Sequence, residues 1–138
     1  MNDFYKDKLT TAQEAVKLVR SGDRIYLGTT AAFCIDLMDA LYERRYELEN
    51  VTLLTGSCVM PNTLMMAKYE DHNPFKLVSY FLGPAERVAI SNGMPYEYTS
   101  LHLSRLSNWF EEVGKADVVF VETSRPDENG MGVYSPAA

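Results

Sequence analysis

The sequence predicts an α/β fold: a layered, open, mostly parallel sheet with flanking helices, incomplete at its C-terminal edge. Three observations predict it. Short aliphatic runs alternate with amphipathic helical stretches along the chain, which is the pattern of successive βαβ units. The first three of those runs end in small residues, at Gly28-Thr29-Thr30, Gly56-Ser57 and Leu82-Gly83. The run Asp117–Thr123 has a near-continuous apolar centre, as expected of a parallel-sheet strand buried on both faces.

The first element is a helix opened by Thr11 and Glu14, whose spacing is that of a capping box. Ala12, Ala15, Val16 and Val19 recur at helical spacing and form one apolar face. Gly22 is expected to end the helix, since glycine takes the left-handed conformation easily. Arg24–Leu27 is the first strand, and the small-residue turn Gly28–Ala32 leads into a second helix. That helix buries Phe33, Leu37, Ala40 and Leu41 and finishes in the charged run Glu43–Glu49. Val51–Leu54 is the next strand, closed by Gly56-Ser57.

The pattern then repeats. Pro61-Asn62 opens a helix carrying Leu64, Met65 and Lys68, and Leu77–Phe81 is a strand. Gly83-Pro84 starts a helix through Arg87 and Ile90, Asn92–Pro95 is a loop, and Tyr96–Thr99 is extended. Leu103–Glu112 is a short helix bearing Trp109 and Phe110 before the Asp117–Thr123 strand. Asn129-Gly130 is a hairpin dipeptide, and Met131–Ser135 begins a returning strand that stops at Pro136-Ala137-Ala138 without a closing element. An uncovered edge of this kind leads us to expect one piece of a larger protein.

Composition narrows the function classes. The 138 residues suit one domain, and 46% hydrophobic residues suffice for a core. A net charge of −6 with no basic run argues against nucleic acid or an anionic membrane as partner. The polar stretch Met1–Lys8 has no apolar signal-peptide core, no run is long enough for a membrane span, and a cytoplasmic chain is expected. The two cysteines, Cys34 and Cys58, are expected to be buried thiols rather than a metal or disulfide pair.

Five stretches in order resemble the acetyl-CoA hydrolase/transferase family, which includes the acetate, butyrate and 4-hydroxybutyrate CoA-transferases. They are Thr11–Val16 continuing through Ser21–Ile25 to Gly28; Asp39–Leu41 through Glu47–Val51; Phe81–Arg87 followed by Gly93; Leu101–Ser104; and Asp117-Val118 through Pro126–Gly130. Together they cover nearly the whole chain. The resemblance implies a longer, homo-oligomeric parent with two similar α/β domains, of which residues 1–138 are the N-terminal one. It implies ping-pong transfer of coenzyme A between an acyl-CoA and a short-chain carboxylate through a glutamyl-CoA thioester. Coenzyme A enters as substrate, and no other cofactor and no metal are expected. In the family the glutamate and its glycine-rich partner loop lie in the C-terminal domain; no residue here matches either, so no catalytic residue is assigned. Transferase and thioester hydrolase activity remain open alternatives, since they differ mainly in whether water reaches the glutamyl intermediate.

In sheets of this type ligands sit beyond the carboxyl ends of the strands. The candidate substrate-binding residues are therefore Gly28, Thr29, Thr30, Gly56, Ser57 and Gly83, expected to converge on one rim as a wall of the acyl pocket. Gly28-Thr29-Thr30 fits an anion cradle on free N–H groups and a plain strand-to-helix turn equally well. For Glu86 and Arg87 a solvated helix face or an ion pair is the favoured reading, and for His102 a structural role; His72 is expected in solvent. Met60, Met65 and Met66 fit core filling better than a flexible acyl pocket. Asp127, Glu128 and Asn129 match metal ligands in composition only.

Two other functions stand beside this one. A sugar-phosphate isomerase of similar architecture needs a general base and a phosphate cradle that are not evident. A non-catalytic binding or assembly module predicts a closed C-terminal edge.

Overall fold

A computed structural model describes residues 6–30, 32–113 and 115–133. Its centre is a five-stranded sheet in which every pairing is parallel. The strands are β1 (Arg24–Thr29), β2 (Val51–Gly56), β3 (Phe75–Ser79), β4 (Tyr96–Tyr98) and β5 (Val118–Val119), in the spatial order β4-β3-β2-β1-β5. Helix α1 (Ala12–Ala15) precedes β1, and α2 (Ile35–Glu43), α3 (Thr63–Met66), α4 (Pro84–Ser91) and α5 (Leu106–Val113) connect successive strands.

Alternation along the strands splits the core in two. Ile25, Leu27, Leu53 and Leu77 point to one face, where they join Val16, Met38, Leu41, Leu64, Met65, Ala85 and Ala89 from α1 to α4 and their flanks. Their neighbours Leu54, Val78 and Tyr80 point to the other face and meet Trp109. Tyr26, Leu106 and Phe110 pack at the border of that second cluster. The fold is thus three layers, with α5 on the second face among the described residues.

The ends of the elements have identifiable causes. Thr11 Oγ1 accepts the Glu14 N–H at 3.2 Å, but the Glu14 carboxylate pairs with Lys17 at 2.6 Å, so half of the expected capping box forms. The first helix stops earlier than Gly22. A 3-10 turn, Val16–Leu18, follows α1, and Val19 is already extended. The Arg44 guanidinium takes the freed carbonyls of Val16 and Val19, and the Asp23 carboxylate accepts the Arg20 N–H at 2.8 Å. Gly22, at φ +86°, lies in the turn beyond. Asn62 caps α3 by accepting the Met65 N–H at 2.9 Å, and that helix ends before Lys68. Pro84 occupies the first position of α4, where its missing N–H costs nothing.

The Asp117–Thr123 run behaves differently from expectation. Only Val118 and Val119 pair as a strand, and they pair with β1 alone. Among the described residues β5 is an edge, so Val119 and Val121 stand about half exposed, at 52% and 50%, instead of buried on both faces. The Asn129-Gly130 turn does form: Asp127 accepts the N–H groups of Asn129 and Met131, and Ser124 N–H donates to the Val133 carbonyl at 2.9 Å. Residues 131–133 of the expected returning strand form no strand, and residues 134–135 lie outside the described residues, as do Ala31 in the turn after β1 and the first five residues.

Candidate functional site

The carboxyl ends of β1, β2 and β3 fall on one side of the sheet, and three local devices shape them. β1 carries one more residue than β2 between the Tyr26–Leu54 and Thr29–Gly56 pairs, which is a bulge. Gly28 sits in it at φ +88°, and a Cβ there would stand 2.6 Å from the Ala32 carbonyl oxygen. Only glycine fits that turn. Thr30 and Ser57 follow with φ of 53° and 58°, left-handed conformations that cost a non-glycine residue on the order of 1 kcal/mol and recur at functional rims.

Beyond β2, Ser57 N–H donates to the Phe81 carbonyl at 2.7 Å, joining the β2 and β3 ends. Gly83 is buried against this turn; a Cβ at Gly83 would meet Cys58 N and O and Ser57 C at 2.8 Å. Gly83 is therefore part of the wall by what it lacks.

These ends enclose a cavity of about 490 Å³ lined by Thr29, Thr30, Gly56, Ser57, Tyr80, Phe81 and the segment Leu101–Leu103. Four of the six residues singled out in the sequence line it; Gly28 and Gly83 stand behind it and let it close. Tyr80, Phe81, Leu101 and Leu103 are walls that sequence reasoning missed. The signal for two of them was present, since Tyr80-Phe81 directly precede Leu82-Gly83 at the end of a strand.

The cavity is apolar at its aromatic side and carries hydroxyls along the β1 and β2 rim. The side chains of Tyr26 and Thr29 stand near the Tyr80 hydroxyl. Burial pushes the Tyr80 phenol up, with neighbouring Tyr26 adding to it and Thr29 pulling the other way. Its ring meets Trp109 edge-on at 5.1 Å, so the aromatic wall is anchored in the second core cluster. Thr30 and Ser57 hydroxyls have no hydrogen-bond partner among the described residues. The cavity can take a small acyl chain against aromatic carbon and offer hydroxyls at its mouth.

The other candidates land as follows. His102 lies on the cavity lining and is exposed. His72 is only partly exposed; its Nε2 lies 3.2 Å from the Leu48 carbonyl oxygen and its ring stacks on Tyr46 at 5.9 Å. Met65 is core, Met66 is half-buried, and Met60 is 45% exposed. Cys58 is buried as expected, while Cys34 is half-buried; both are free thiols. Asp127 and its neighbours form an Asx turn.

Glu86 overturns the expectation of a solvated or ion-paired side chain. It is fully buried. Cys58 N–H donates to both its carboxylate oxygens, at 2.8 and 2.9 Å, and Thr55 Oγ1 donates to one at 3.0 Å. Among the described residues it forms no ion pair.

A second, larger cleft of about 660 Å³ opens on the first face of the sheet, between the starts of α1 and α2 and the segment Val121–Thr123. It holds Cys34, Asp36, Met60 and Glu122. Burial, then Glu122 and Asp36, push the Cys34 thiol up to about 11, so it is not an activated nucleophile. Among the described residues no group of three or more His, Cys, Asp or Glu side chains is placed to hold a metal ion, and no helix is long and apolar enough to cross a membrane.

The family model described as acetyl-CoA hydrolase/transferase N-terminal domain matches residues 2–137. The butyryl-CoA:acetate CoA-transferase of Anaerostipes caccae is 33% identical over 138 residues, covering 97% of this chain and 30% of that enzyme. The 4-hydroxybutyrate coenzyme A transferase of Clostridium kluyveri is 23% identical over 129 residues, covering 93% of this chain and 29% of its own length. The crystal structure of RipA from Yersinia pestis superposes with a TM-score of 0.76 at 25% identity, covering 91% of this chain and 31% of that one. The chain thus spans about 30% of the length of the curated relatives it matches. With a family model covering nearly every residue and the same fold in a solved structure, this chain belongs to the acetyl-CoA hydrolase/transferase family, whose N-terminal domain it matches.

Proposed function

We propose that this chain is the N-terminal portion of a coenzyme A transferase that moves CoA from an acyl-CoA to a short-chain carboxylate. The observation that carries this reading is its 33% identity, over 97% of its residues, to a butyryl-CoA:acetate CoA-transferase. The cavity at the β1–β3 rim supports it, because an aromatic wall with hydroxyls at the mouth suits a short acyl chain ending in a carbonyl.

In this reading the nucleophile is a glutamate outside the 138 residues. Its carboxylate attacks the thioester carbonyl, expelling CoA thiolate and leaving an acyl-glutamyl anhydride. The thiolate then attacks the glutamyl carbonyl, which releases the first carboxylate and leaves glutamyl-CoA. The incoming acid reverses both steps, and no net proton or electron is required. The present chain supplies positioning: Thr29, Thr30, Gly56, Ser57, Tyr80 and Phe81 hold the acyl group and keep bulk water from the thioester.

Acyl exchange tests it. The 138-residue chain, and a chimera in which it replaces the matched portion of the Anaerostipes caccae enzyme, are each incubated with butyryl-CoA and acetate while acetyl-CoA is followed by mass. Exchange by the chimera and none by the chain alone is the expected result. Turnover by the chain alone would move the search for the nucleophile to its own carboxylates, and an inactive but folded chimera would count against the reading.

A further inference from the structure

The buried carboxylate of Glu86 has no role in the transfer chemistry as drawn above, yet it is built into the rim. It sits in α4 between Ala85 and Ala89, all three buried, and reaches across to the turn that follows β2. Cys58 N–H is clamped on both carboxylate oxygens, and Thr55, on the last stretch of β2, adds a third bond. Burying a carboxylate away from water is costly unless its oxygens are satisfied, so this arrangement fixes the turn firmly.

What the clamp holds is Ser57. That residue stands in a left-handed conformation at φ 58°, which persists only where the surroundings impose it. Three constraints do so. The Ser57 N–H is tied to the Phe81 carbonyl, the Cys58 carbonyl accepts the Ala85 N–H at 3.1 Å, and the Cys58 N–H is held by Glu86. The first two also secure α4 and β3 to the turn, whereas the third comes from a side chain alone. Ser57 lines the cavity with a hydroxyl that has no partner among the described residues.

We infer that Glu86 is a positioning residue for the acyl cavity: by holding the Cys58 N–H it sets the Ser57 turn, without itself touching the acyl group. This rests on the transferase reading for its kinetic consequence, but its structural half stands apart. Replacing Glu86 by Gln keeps the size of the side chain and turns one of the two acceptors facing Cys58 N–H into a donor. The clamp then keeps one oxygen and sets an amide N–H against the Cys58 N–H, which loosens its hold on the left-handed Ser57 turn.

The experiment has two arms. In the 138-residue chain, amide resonances are compared between wild type and Glu86→Gln. Ser57, Cys58 and Phe81 are expected to shift, while Val51 at the far end of β2 stays in place. In the active chimera, Glu86→Gln is expected to raise KM for the acid about tenfold with kcat changed less than about threefold, the pattern of lost ground-state positioning. Val19→Ala, buried at the opposite end of the sheet, serves as the control; it lowers the melting temperature and leaves KM alone. Amides of Ser57 and Phe81 at wild-type positions, or a KM no different from that of Val19→Ala, would overturn the inference. If Glu86→Gln does not accumulate folded, Thr55→Val removes one donor to the same carboxylate and is read by the same resonances. An inactive wild-type chimera would sink the transferase reading only, since the amide shifts test the positioning by themselves.

Discussion

The ring of Tyr80 occupies the space where a side chain at Gly56 would stand. A Cβ built on Gly56 lies 2.3 Å from the ring carbon Cζ and within 2.7 Å of both neighbouring carbons. β2 and β3 therefore meet at their carboxyl ends through the last glycine of one strand and the aromatic ring that directly follows the other. The same ring leans edge-on against Trp109, with Tyr26 and Thr29 beside its hydroxyl. It has nowhere to retreat, and the position of the cavity wall follows from the size of residue 56.

Gly56→Ala accordingly costs about 1–3 kcal/mol, the range for inserting a methyl group into a packed site. The expected signature is a lower urea midpoint together with changed Trp109 fluorescence, because the displaced Tyr80 ring presses on the indole. Unchanged stability and emission would mean that the ring swings aside freely. Gly83→Ala is expected to cost more, since its Cβ meets backbone atoms of Ser57 and Cys58 that cannot rotate away.

Arg44 stops the first helix, and its removal should show that. Its guanidinium serves the carbonyls of Val16 and Val19 and pairs with Glu47 at 2.9 Å, with the side chain only 18% exposed. Arg44→Met keeps most of the buried stem and leaves the carbonyls without a charged donor, a loss of about 1.5–3 kcal/mol. Equilibrium urea unfolding measures it. A loss below about 0.5 kcal/mol would mean that water caps those carbonyls equally well.

Much of the fold was legible because its signals are local. Alternation and helical spacing placed each observed strand and helix within a few residues, though the returning strand expected at Met131–Ser135 does not form over residues 131–133, and the rim followed from where each strand meets its small residues. The errors came from partners distant in sequence. Gly22 is a good helix terminator, but Arg44, brought in from the end of α2, ends the helix four residues sooner. Glu86 beside Arg87 reads as a solvated pair because nothing nearby reveals that the Cys58 amide, 28 residues earlier, lies opposite. The leucine walls were missed for the same reason: Leu101 and Leu103 reach the rim only through the fold. The Asp117–Thr123 run was read as doubly buried from its apolar centre, and among the described residues only β1 covers it.

That last difference has a measurable consequence. Val119 and Val121 are about half exposed, so they add little to the stability of the chain as it stands. Val121→Thr is expected to change the unfolding free energy of the 138-residue chain by no more than about 0.5 kcal/mol. In the chimera, where further chain can cover this edge, the same substitution is expected to cost more, read as a larger drop in melting temperature. Equal effects in the two proteins would mean that the edge stays open in both.

Alkaline pH offers a test of the buried thiols and phenols together. Burial, with Glu86 beside it, pushes the Cys58 thiol from 9.0 up to about 12, and burial with Glu122 and Asp36 pushes Cys34 up to about 11. Burial also raises Tyr26, Tyr69 and Tyr80 above 10.0. In each case the folded state prefers the protonated, neutral form. Below pH 9 both folded and unfolded chains hold these protons, and the stability they contribute is fully present. Above pH 9 the unfolded chain releases them first, so the folded state binds more protons and stability falls with rising pH, by about 1.4 kcal/mol per pH unit for each proton fully retained. Urea midpoints are therefore expected to be level from pH 7 to 8.5 and to fall progressively from pH 9 to 11. Cys58→Ala lowers stability at pH 7 by removing buried volume, but it deletes one titrating group and makes the alkaline slope shallower. A wild-type midpoint that stays flat to pH 10.5, or a Cys58→Ala slope as steep as wild type, would show that the thiol meets more water in the folded chain than its burial implies.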